Sequence, residues 1–187
     1  MRKAVCPGSF DPVTSGHLDV FERASDMFDE VIVAVFHNPI KQTAMFSVQE
    51  RLEMLKECTK GIANVRVDAF SGLLHEYVRK EKTNVVLRGL RALIDFEYEF
   101  QRALMLKKIA PEVETIFMMT SMEYSFLSST GVRELLAFDG AVKGFVPDCI
   151  QDRVQSKLKE MKSQSKRLVG KSPVFTKRES DSCQGGL

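Results

Sequence analysis

Short apolar segments alternate along this chain with longer amphipathic ones. The apolar segments are too short for helices and mostly rich in β-branched residues, so they predict strands of a sheet that is covered on both faces. The predicted strands are Lys3–Cys6, Glu30–Phe36, Val65–Phe70, Asn84–Arg88 and Glu114–Met119.

Between these strands, apolar residues recur at helical spacing. We expect helices over His17–Met27, from the capping box that Ser47 begins to about Lys60, over about Gly72–Lys82, over Asp95–Ile109, from Ser128 through Leu136, and from Pro147 to about Lys162. In the fourth helix, an apolar stripe consists of Phe96, Phe100, Ala103, Leu104 and Ile109. Alternating strands and helices predict an α/β fold, a doubly wound Rossmann-like domain with a five-stranded parallel sheet and helices on both faces.

The chain has room for one domain with its own core. Residues 1–162 carry all the periodic segments, so we expect them to form this single domain. Residues 163–187 are rich in Ser, Lys, Gly and Gln and lack periodicity, so we expect a flexible or peripheral C-terminal tail.

Composition excludes several classes of protein. A net charge of +2 gives no overall field that would favour a nucleic-acid partner. No apolar run approaches the length that spans a bilayer, so we expect no membrane association. The cysteines, Cys6, Cys58, Cys149 and Cys183, are scattered and form no C-x-x-C pair, which excludes a disulfide framework or a zinc spacing and favours a reducing, cytoplasmic compartment.

The turn between the first strand and the first helix carries the strongest chemical signal. A helix start presents unpaired N–H groups and a partial positive charge, which suit a phosphate. Gly8 permits close approach of the backbone, and Ser9 adds a hydroxyl. Gly16 and His17 open the helix, where the imidazole can point at the same anion. The alternative is that these are ordinary turn glycines and a polar residue at a helix start.

Cationic side chains follow other predicted strands. Arg88 and Arg91 bracket Gly89-Leu90 after the fourth strand, and Lys41 lies in the loop after the second. Because the carboxyl ends of parallel strands meet at one rim, we expect these residues to gather near His17. Two guanidinium groups in one tight loop suit phosphate oxygens, although each alone would be an ordinary surface charge.

The start of the predicted fifth helix offers a second set of donors. Ser128, Ser129 and Thr130 supply hydroxyl groups and free N–H groups that form either a helix cap or an anion site. Arg133, one turn further on, adds a cation or pairs with a surface carboxylate. Glu99, if it faces the rim, could hold the sugar or base of a nucleotide.

This set of residues suits transfer of a nucleotidyl group from a nucleoside triphosphate to a phosphate acceptor. A phosphate is already an anionic nucleophile, so the reaction needs positioning and stabilisation of spread negative charge more than a general base. His17, Lys41 and Arg91 are the candidate catalytic residues, with Arg88 beside them. The sequence has no protein-built metal cage, no Ser-His-Asp triad and no Walker A loop.

Over about residues 3–160, the sequence closely resembles the bacterial phosphopantetheine adenylyltransferases. The spacing Thr14-x-Gly16-His17 is shared by the wider nucleotidylyltransferase superfamily, and Arg88–Ala92 followed by Asp95–Glu99 is more particular to this family. The matching segments are Pro7–Pro12 with Gly16-His17, Arg88–Ala92, Asp95–Glu99 and Ser125–Ser129.

The resemblance implies that residues 1–162 form a nucleotidylyltransferase domain, and it also implies a reaction and a set of site residues. It implies transfer of adenylyl from ATP to 4′-phosphopantetheine, giving dephospho-coenzyme A and pyrophosphate in coenzyme A biosynthesis. It also implies Mg²⁺ that accompanies ATP, a cytoplasmic homohexamer, and coenzyme A as a candidate inhibitor. Matched by position, the phosphopantetheine contacts are Ser9, Lys41, Leu74 and Arg88. The matched ATP contacts are Ser9, Phe10, His17, Gly89, Leu90, Arg91, Glu99, Tyr124, Ser125, Phe126, Leu127, Ser128, Ser129 and Thr130.

Departures from the family pattern are mild, and two alternatives stay open. Ser9, Tyr124 and Thr130 stand where the family more often has Thr, Trp and Ser. One alternative keeps the superfamily but changes the acceptor, to nicotinamide mononucleotide or to a polyol phosphate with CTP, which the Arg88–Ala92 segment disfavours. The other is a non-catalytic nucleotide-binding module on the same fold.

Overall fold

A five-stranded parallel sheet forms the centre of the protein. The computed structural model describes residues 1–37, 44–158 and 160, without the side chains of residues 93 and 94. The strand order is β3-β2-β1-β4-β5, so the chain winds outward from β1 in both directions. The strands are β1 (Lys3–Gly8), β2 (Glu30–His37), β3 (Val65–Ser71), β4 (Val85–Leu90) and β5 (Glu114–Met119).

Helices cover both faces of the sheet, which confirms the doubly wound α/β fold. On one face, α1, α2, α5 and α6 share a core with the sheet, and on the other α3 and the C-terminal end of α4 do so. The helices are α1 (Ser15–Met27), α2 (Val48–Cys58), α3 (Leu74–Lys80), α4 (Leu93–Ile109), α5 (Ser129–Ala137) and α6 (151–158). Short 3₁₀ turns span Met122–Tyr124 and Asp148–Ile150.

The hydrophobic cores on the two faces of the sheet explain why the strand sequences are nearly continuous apolar runs. Successive side chains of a strand point to opposite faces. In β1, Ala4 and Cys6 pack into the core shared with α1 and α2, whereas Val5 packs into the core shared with α3. Since each face is covered, neither set can be polar.

Two strands, β1 and β4, extend two residues beyond their predicted ends, and β2 and β3 extend by one residue each. The sequence placed Gly8 in a turn and Gly89-Leu90 in a loop that leaves the fourth strand. The structure corrects this, because β1 continues to Gly8 and β4 to Leu90. Glycine and arginine signal the end of a strand by composition, but the register with β5 continues, with Arg88 opposite Phe117 and Leu90 opposite Met119. Backbone pairing with a neighbouring strand outweighs the local signal.

The apolar stripe predicted in α4 does not face the core. Phe96, Phe100, Leu104 and Ile109 are 40%, 44%, 55% and 52% exposed. The side of α4 that carries Leu106 packs against the sheet instead. The periodicity correctly predicts a helix with an apolar face, but the pattern cannot tell which side of a helix a neighbouring element covers.

Two of the scattered cysteines meet in the fold. Sγ of Cys58, at the end of α2, lies 3.4 Å from Sγ of Cys149, and both are free thiols. Burial, followed by the hydrogen bond with Cys149, raises the pKa of the Cys58 thiol. Their separation of 91 positions hides this contact from any spacing rule.

None of the helices in the described part of the chain combines the length and the apolar character needed to cross a bilayer.

Candidate active site

A cleft of about 1250 Å³ opens at the carboxyl ends of the strands. It lies where β1 and β4 are neighbours, which is the point at which the strand order reverses. The connections after these two strands run in opposite directions and leave a crevice, which is where ligands bind in open α/β sheets. The turn after β1, the end of β4, the inner side of α4 and the start of α5 all line it.

The fold brings most of the predicted site residues together in this cleft. Those that line it are Ser9, Phe10, His17, Leu74, Arg88, Gly89, Arg91, Glu99, Leu127, Ser128, Ser129 and Thr130. Leu90 is buried in the sheet instead, and Tyr124, Ser125 and Phe126 lie outside the cleft lining. Lys41 and the predicted tail of residues 163–187 lie outside the described residues.

His17 is fixed by the cap of its own helix. It occupies the third position of α1, and its Nδ1 lies 3.0 Å from the backbone nitrogen of Thr14 and 2.9 Å from Thr14 Oγ1. The imidazole thus takes the place that a glutamate fills in a capping box. A backbone N–H can only donate, so Nδ1 accepts, and in the neutral ring the proton resides on Nε2. The Nε2–H group is therefore the donor available to a ligand in the cleft.

The surroundings of His17 also keep it uncharged. Burial, reinforced by the positive charge of Arg91, lowers the pKa of His17 from its usual 6.5 to about 4. The ring of Phe10 meets the imidazole edge-on at 5.2 Å, and that of Phe21 is stacked at 6.5 Å. Near pH 7 the imidazole is therefore a neutral, oriented hydrogen-bond donor.

Phe10 holds an unusual backbone conformation beside His17. Its φ is 46°, in the left-handed region that costs a residue other than glycine about 1–3 kcal/mol. Its ring lies directly over Gly8, where an added Cβ would be 2.5 Å from Phe10 Cζ. Gly8 is therefore required for this packing, in addition to the close approach to a ligand for which the sequence suggested it.

Arg88 reaches the cleft from inside the sheet and is paired there. Its Nη1 donates to the carbonyl of Pro7 at 3.2 Å, and its Nε lies 3.4 Å from Oε2 of Glu99. Burial lowers the pKa of Arg88, and the Glu99 carboxylate opposes that shift. Glu99 Oε2 is buried and makes no hydrogen bond of good geometry with the described residues. An acceptor in this state suits a hydroxyl or amine donor of a ligand.

Arg91 is committed to contacts within the protein. Its Nε and Nη2 each donate to the Asp95 carboxylate at 2.8 Å, and its Nη1 donates to the Leu127 carbonyl at 2.8 Å. The guanidinium therefore ties the end of β4 to the segment before α5. It contributes positive potential near His17, while its hydrogen-bonding edges are occupied in this structure.

The hydroxyl groups at the start of α5 mainly serve the protein. Ser128 Oγ accepts from the Gly131 N–H at 2.8 Å, which is a helix cap, and Ser129 Oγ donates to the Pro12 carbonyl at 2.8 Å. Thr130 Oγ1 accepts from Arg133 at 3.1 Å. The capping alternative therefore describes these side chains, and the first N–H groups of α5 are the donors left for an anion.

Sequence reasoning missed Asp11 and Arg51, which are both buried. The carboxylate of Asp11 accepts from the backbone N–H groups of Met45 and Phe46, each at 2.9 Å, and Arg51 Nη1 donates to the Ser9 carbonyl at 2.8 Å. One signal was available, since Arg51 shares a helical face with the apolar Met54. A charged residue on such a face needs a buried partner.

Known proteins with the same pattern identify the family. Residues 5–135 match the model of the cytidylyltransferase-like family. The phosphopantetheine adenylyltransferase of Caldanaerobacter subterraneus subsp. tengcongensis is 53% identical over 160 residues, which cover 86% of this chain and 99% of the relative. This chain belongs to the phosphopantetheine adenylyltransferase family. That confirms the resemblance seen in the sequence and makes the protein a nucleotidyltransferase.

Other relatives support this family and its fold. The phosphopantetheine adenylyltransferase of Clostridium perfringens is 48% identical over 164 residues, covering 88% of this chain and 99% of the relative. A solved structure from Vibrio parahaemolyticus, provisionally described as a nicotinate-nucleotide adenylyltransferase, superposes with a TM-score of 0.60. It shares 17% identity and covers 82% of this chain and 99% of its own, so it supports the fold alone.

Proposed function

We propose that this protein transfers the adenylyl group of ATP to 4′-phosphopantetheine, giving dephospho-coenzyme A and pyrophosphate, a step of coenzyme A biosynthesis. One observation carries the proposal. Curated phosphopantetheine adenylyltransferases match this chain over 99% of their own length. The segments that carry the resemblance, from the turn after β1 and the end of β4, meet in one cleft.

The reaction is an in-line displacement at the α-phosphorus of ATP. A phosphate oxygen of phosphopantetheine forms the new P–O bond while the bond to the bridging oxygen of pyrophosphate breaks. Negative charge spreads over the non-bridging oxygens as this happens. We assign His17 Nε2–H as a donor to that charge, because the Thr14 N–H fixes its tautomer and its low pKa keeps it neutral.

The acceptor phosphate is assigned to the side of the cleft near Arg88. Nη1 and Nε of Arg88 face Pro7 and Glu99, whereas Nη2 makes no hydrogen bond with the described residues. A guanidinium nitrogen in that state suits a phosphate oxygen. Ser9 and Leu74 line the same cleft, and Lys41 joins them in this proposal from the family resemblance alone.

Magnesium is proposed as part of the substrate, bound to the phosphates of ATP. Within the described residues, no group of three His, Cys, Asp or Glu side chains is placed to hold a metal ion. Two carboxylates of the cleft already have protein partners, since Asp95 accepts from Arg91 and Asp11 accepts from the N–H groups of residues 45 and 46. Mg²⁺ commonly binds through substrate phosphates and water, and the donor set here fits that arrangement.

The resemblance also leads us to propose a cytoplasmic homohexamer that coenzyme A inhibits. The exposed apolar side of α4 supports assembly, since Phe100 and Leu104 would be covered by another subunit. Coenzyme A contains the product's pantetheine and adenylyl parts, so it is expected to compete for the same cleft. Sedimentation velocity tests the first point, and inhibition kinetics test the second.

The direct test is pyrophosphate release from ATP with and without 4′-phosphopantetheine. We expect release to depend on that acceptor and on Mg²⁺. Nicotinamide mononucleotide with ATP, and a polyol phosphate with CTP, serve as the comparison acceptors. Release with one of these alone would overturn the acceptor assignment, and no turnover with any acceptor would favour a non-catalytic binding module.

A further inference from the structure

Three arginines from three distant elements hold the turn that follows β1. Each donates one Nη1 to a backbone carbonyl, and the three carbonyls belong to alternate residues from Pro7, near the end of β1, into the turn. The contacts are Arg88 of β4 with Pro7 at 3.2 Å, Arg51 of α2 with Ser9 at 2.8 Å, and Arg133 of α5 with Asp11 at 2.5 Å. All three arginines line the cleft, and Arg88 alone among them has been assigned to a substrate above.

The contacts of Arg51 and Arg133 lie on the two sides of the strained residue Phe10. Arg51 fixes the Ser9 carbonyl before it, and Arg133 fixes the Asp11 carbonyl after it. The Asp11 carboxylate adds two further contacts, since it accepts from the N–H groups of Met45 and Phe46. A left-handed conformation at a phenylalanine persists only where the surroundings fix it in this way.

This conformation sets what the turn presents to the cleft. In a trans peptide the N–H points away from the carbonyl of the same plane, so holding the Ser9 carbonyl on Arg51 turns the Phe10 N–H to the opposite side. It also sets the ring of Phe10 against the imidazole of His17. The position of the donors therefore depends on the side chains that hold the carbonyls on the two sides of Phe10.

We infer that Arg51 and Arg133 are positioning residues for adenylyl transfer, which act by holding the Ser9–Asp11 backbone in its strained conformation. The inference rests on the proposed function. Arg51 is buried, and the Asp11 carboxylate supplies the nearby negative charge. The planar guanidinium fork of Arg51 donates from Nη1 to the Ser9 carbonyl at 2.8 Å and from Nε to the Ser47 carbonyl at 3.3 Å. These two hydrogen bonds tie the turn to the start of α2. A lysine keeps the charge but not this fork.

The test compares Arg51→Lys with the wild-type enzyme by kinetics and by amide hydrogen exchange. We expect kcat to fall by about tenfold or more, with a smaller change in KM for ATP, because misplaced donors act mainly in the transition state. Exchange at the amides of residues 8–11 should become several-fold faster without any substrate. Arg153→Lys is the matched control. Arg153 of α6 pairs with Glu53 of α2, the helix that carries Arg51, and it does not contact the turn.

Arg133→Lys provides a second variant if Arg51→Lys does not fold. The side chain of Arg133 is 32% exposed, so this change disturbs the core less, and we expect the same pattern at a smaller size. Unchanged exchange, or a lower melting temperature with kcat per folded molecule unchanged, would overturn the inference. Exchange is measured without ATP or acceptor, so it separates failure of this inference from failure of the proposed reaction.

Discussion

The helices α1 and α4 flank the same cleft but use their apolar residues differently. In α1, Val20, Phe21 and Ala24 are at most 3% exposed, and the helix is anchored within the chain. In α4, Phe100 and Leu104 are 44% and 55% exposed. The difference indicates that the donors near α1 are positioned by contacts within the chain, whereas α4 has an apolar side that the described residues leave uncovered.

The largest expected effect is on the α1 side, from His17→Ala. Removing a donor that meets charge in the transition state is expected to lower kcat by about 10²–10³, or about 3 kcal/mol, with little change in ATP affinity. Steady-state kinetics and calorimetric ATP binding measure the two quantities. His17→Gln retains an N–H donor and should recover part of the rate. Equal losses in binding and in turnover would contradict the role.

A related effect is expected in the pH dependence of stability. The folded pKa of His17, about 4, lies below the unfolded value of 6.5, so the unfolded state binds more protons between these pH values. The stabilisation is therefore complete above about pH 6.5 and is lost as the pH falls towards 4. Its size is at most about 3 kcal/mol, since the ring is half-buried and water reaches part of it.

Urea unfolding at several pH values measures this effect. The free energy of unfolding of the wild type should decline more steeply between pH 6.5 and 4 than that of His17→Gln. Parallel curves for the two proteins would mean that the imidazole titrates normally in the fold.

On the α4 side, Leu104→Glu tests whether another subunit covers the exposed stripe. Burying a leucine in an interface contributes about 2 kcal/mol, and a charge there would remove that and add a desolvation cost. We expect the sedimentation coefficient to decrease. Gln101→Glu adds the same charge to another exposed position of α4 and should leave the assembly intact. An unchanged assembly in Leu104→Glu would locate the interface elsewhere.

The smallest expected effect returns to the α1 cap. Thr14→Ala removes the Oγ1 contact with Nδ1 of His17 but keeps the backbone N–H contact. We expect a loss of about 1 kcal/mol in the free energy of unfolding, as for other helix caps, and a rate reduced by severalfold at most. A loss of rate as large as that of His17→Ala would show that the hydroxyl, rather than the backbone, orients the ring.

Local patterns predicted most of the fold. Short β-branched runs gave the strands, and the Ser47 capping box gave the start of α2, whose Glu50 side chain reaches back to the Ser47 N–H at 2.7 Å. The signals failed where a neighbour decides the outcome. Pairing with β5 extends β4 to Leu90, and the pattern in α4 could not reveal which side meets the sheet.

For the site, the sequence predicted many of the residues that meet in the cleft but not what each one contacts. Gly8, His17, Arg88 and Arg91 could be predicted because they lie at or just after the carboxyl ends of strands in a parallel sheet. The hydrogen bonds of Arg91 to Leu127 and of Arg51 to Ser9 span 36 and 42 positions. Contacts at this range depend on side-chain directions in the folded chain, which local spacing does not contain.

The contact between Gly8 and the ring of Phe10 links these two positions in the history of the protein. A methyl group at position 8 would lie 2.5 Å from Phe10 Cζ. A larger residue can therefore replace Gly8 only after a smaller residue has replaced Phe10. A smaller residue 10 would, however, remove the ring that lies against His17. Neither residue can be substituted alone without a cost, so a related sequence that differs at position 8 should also differ at position 10.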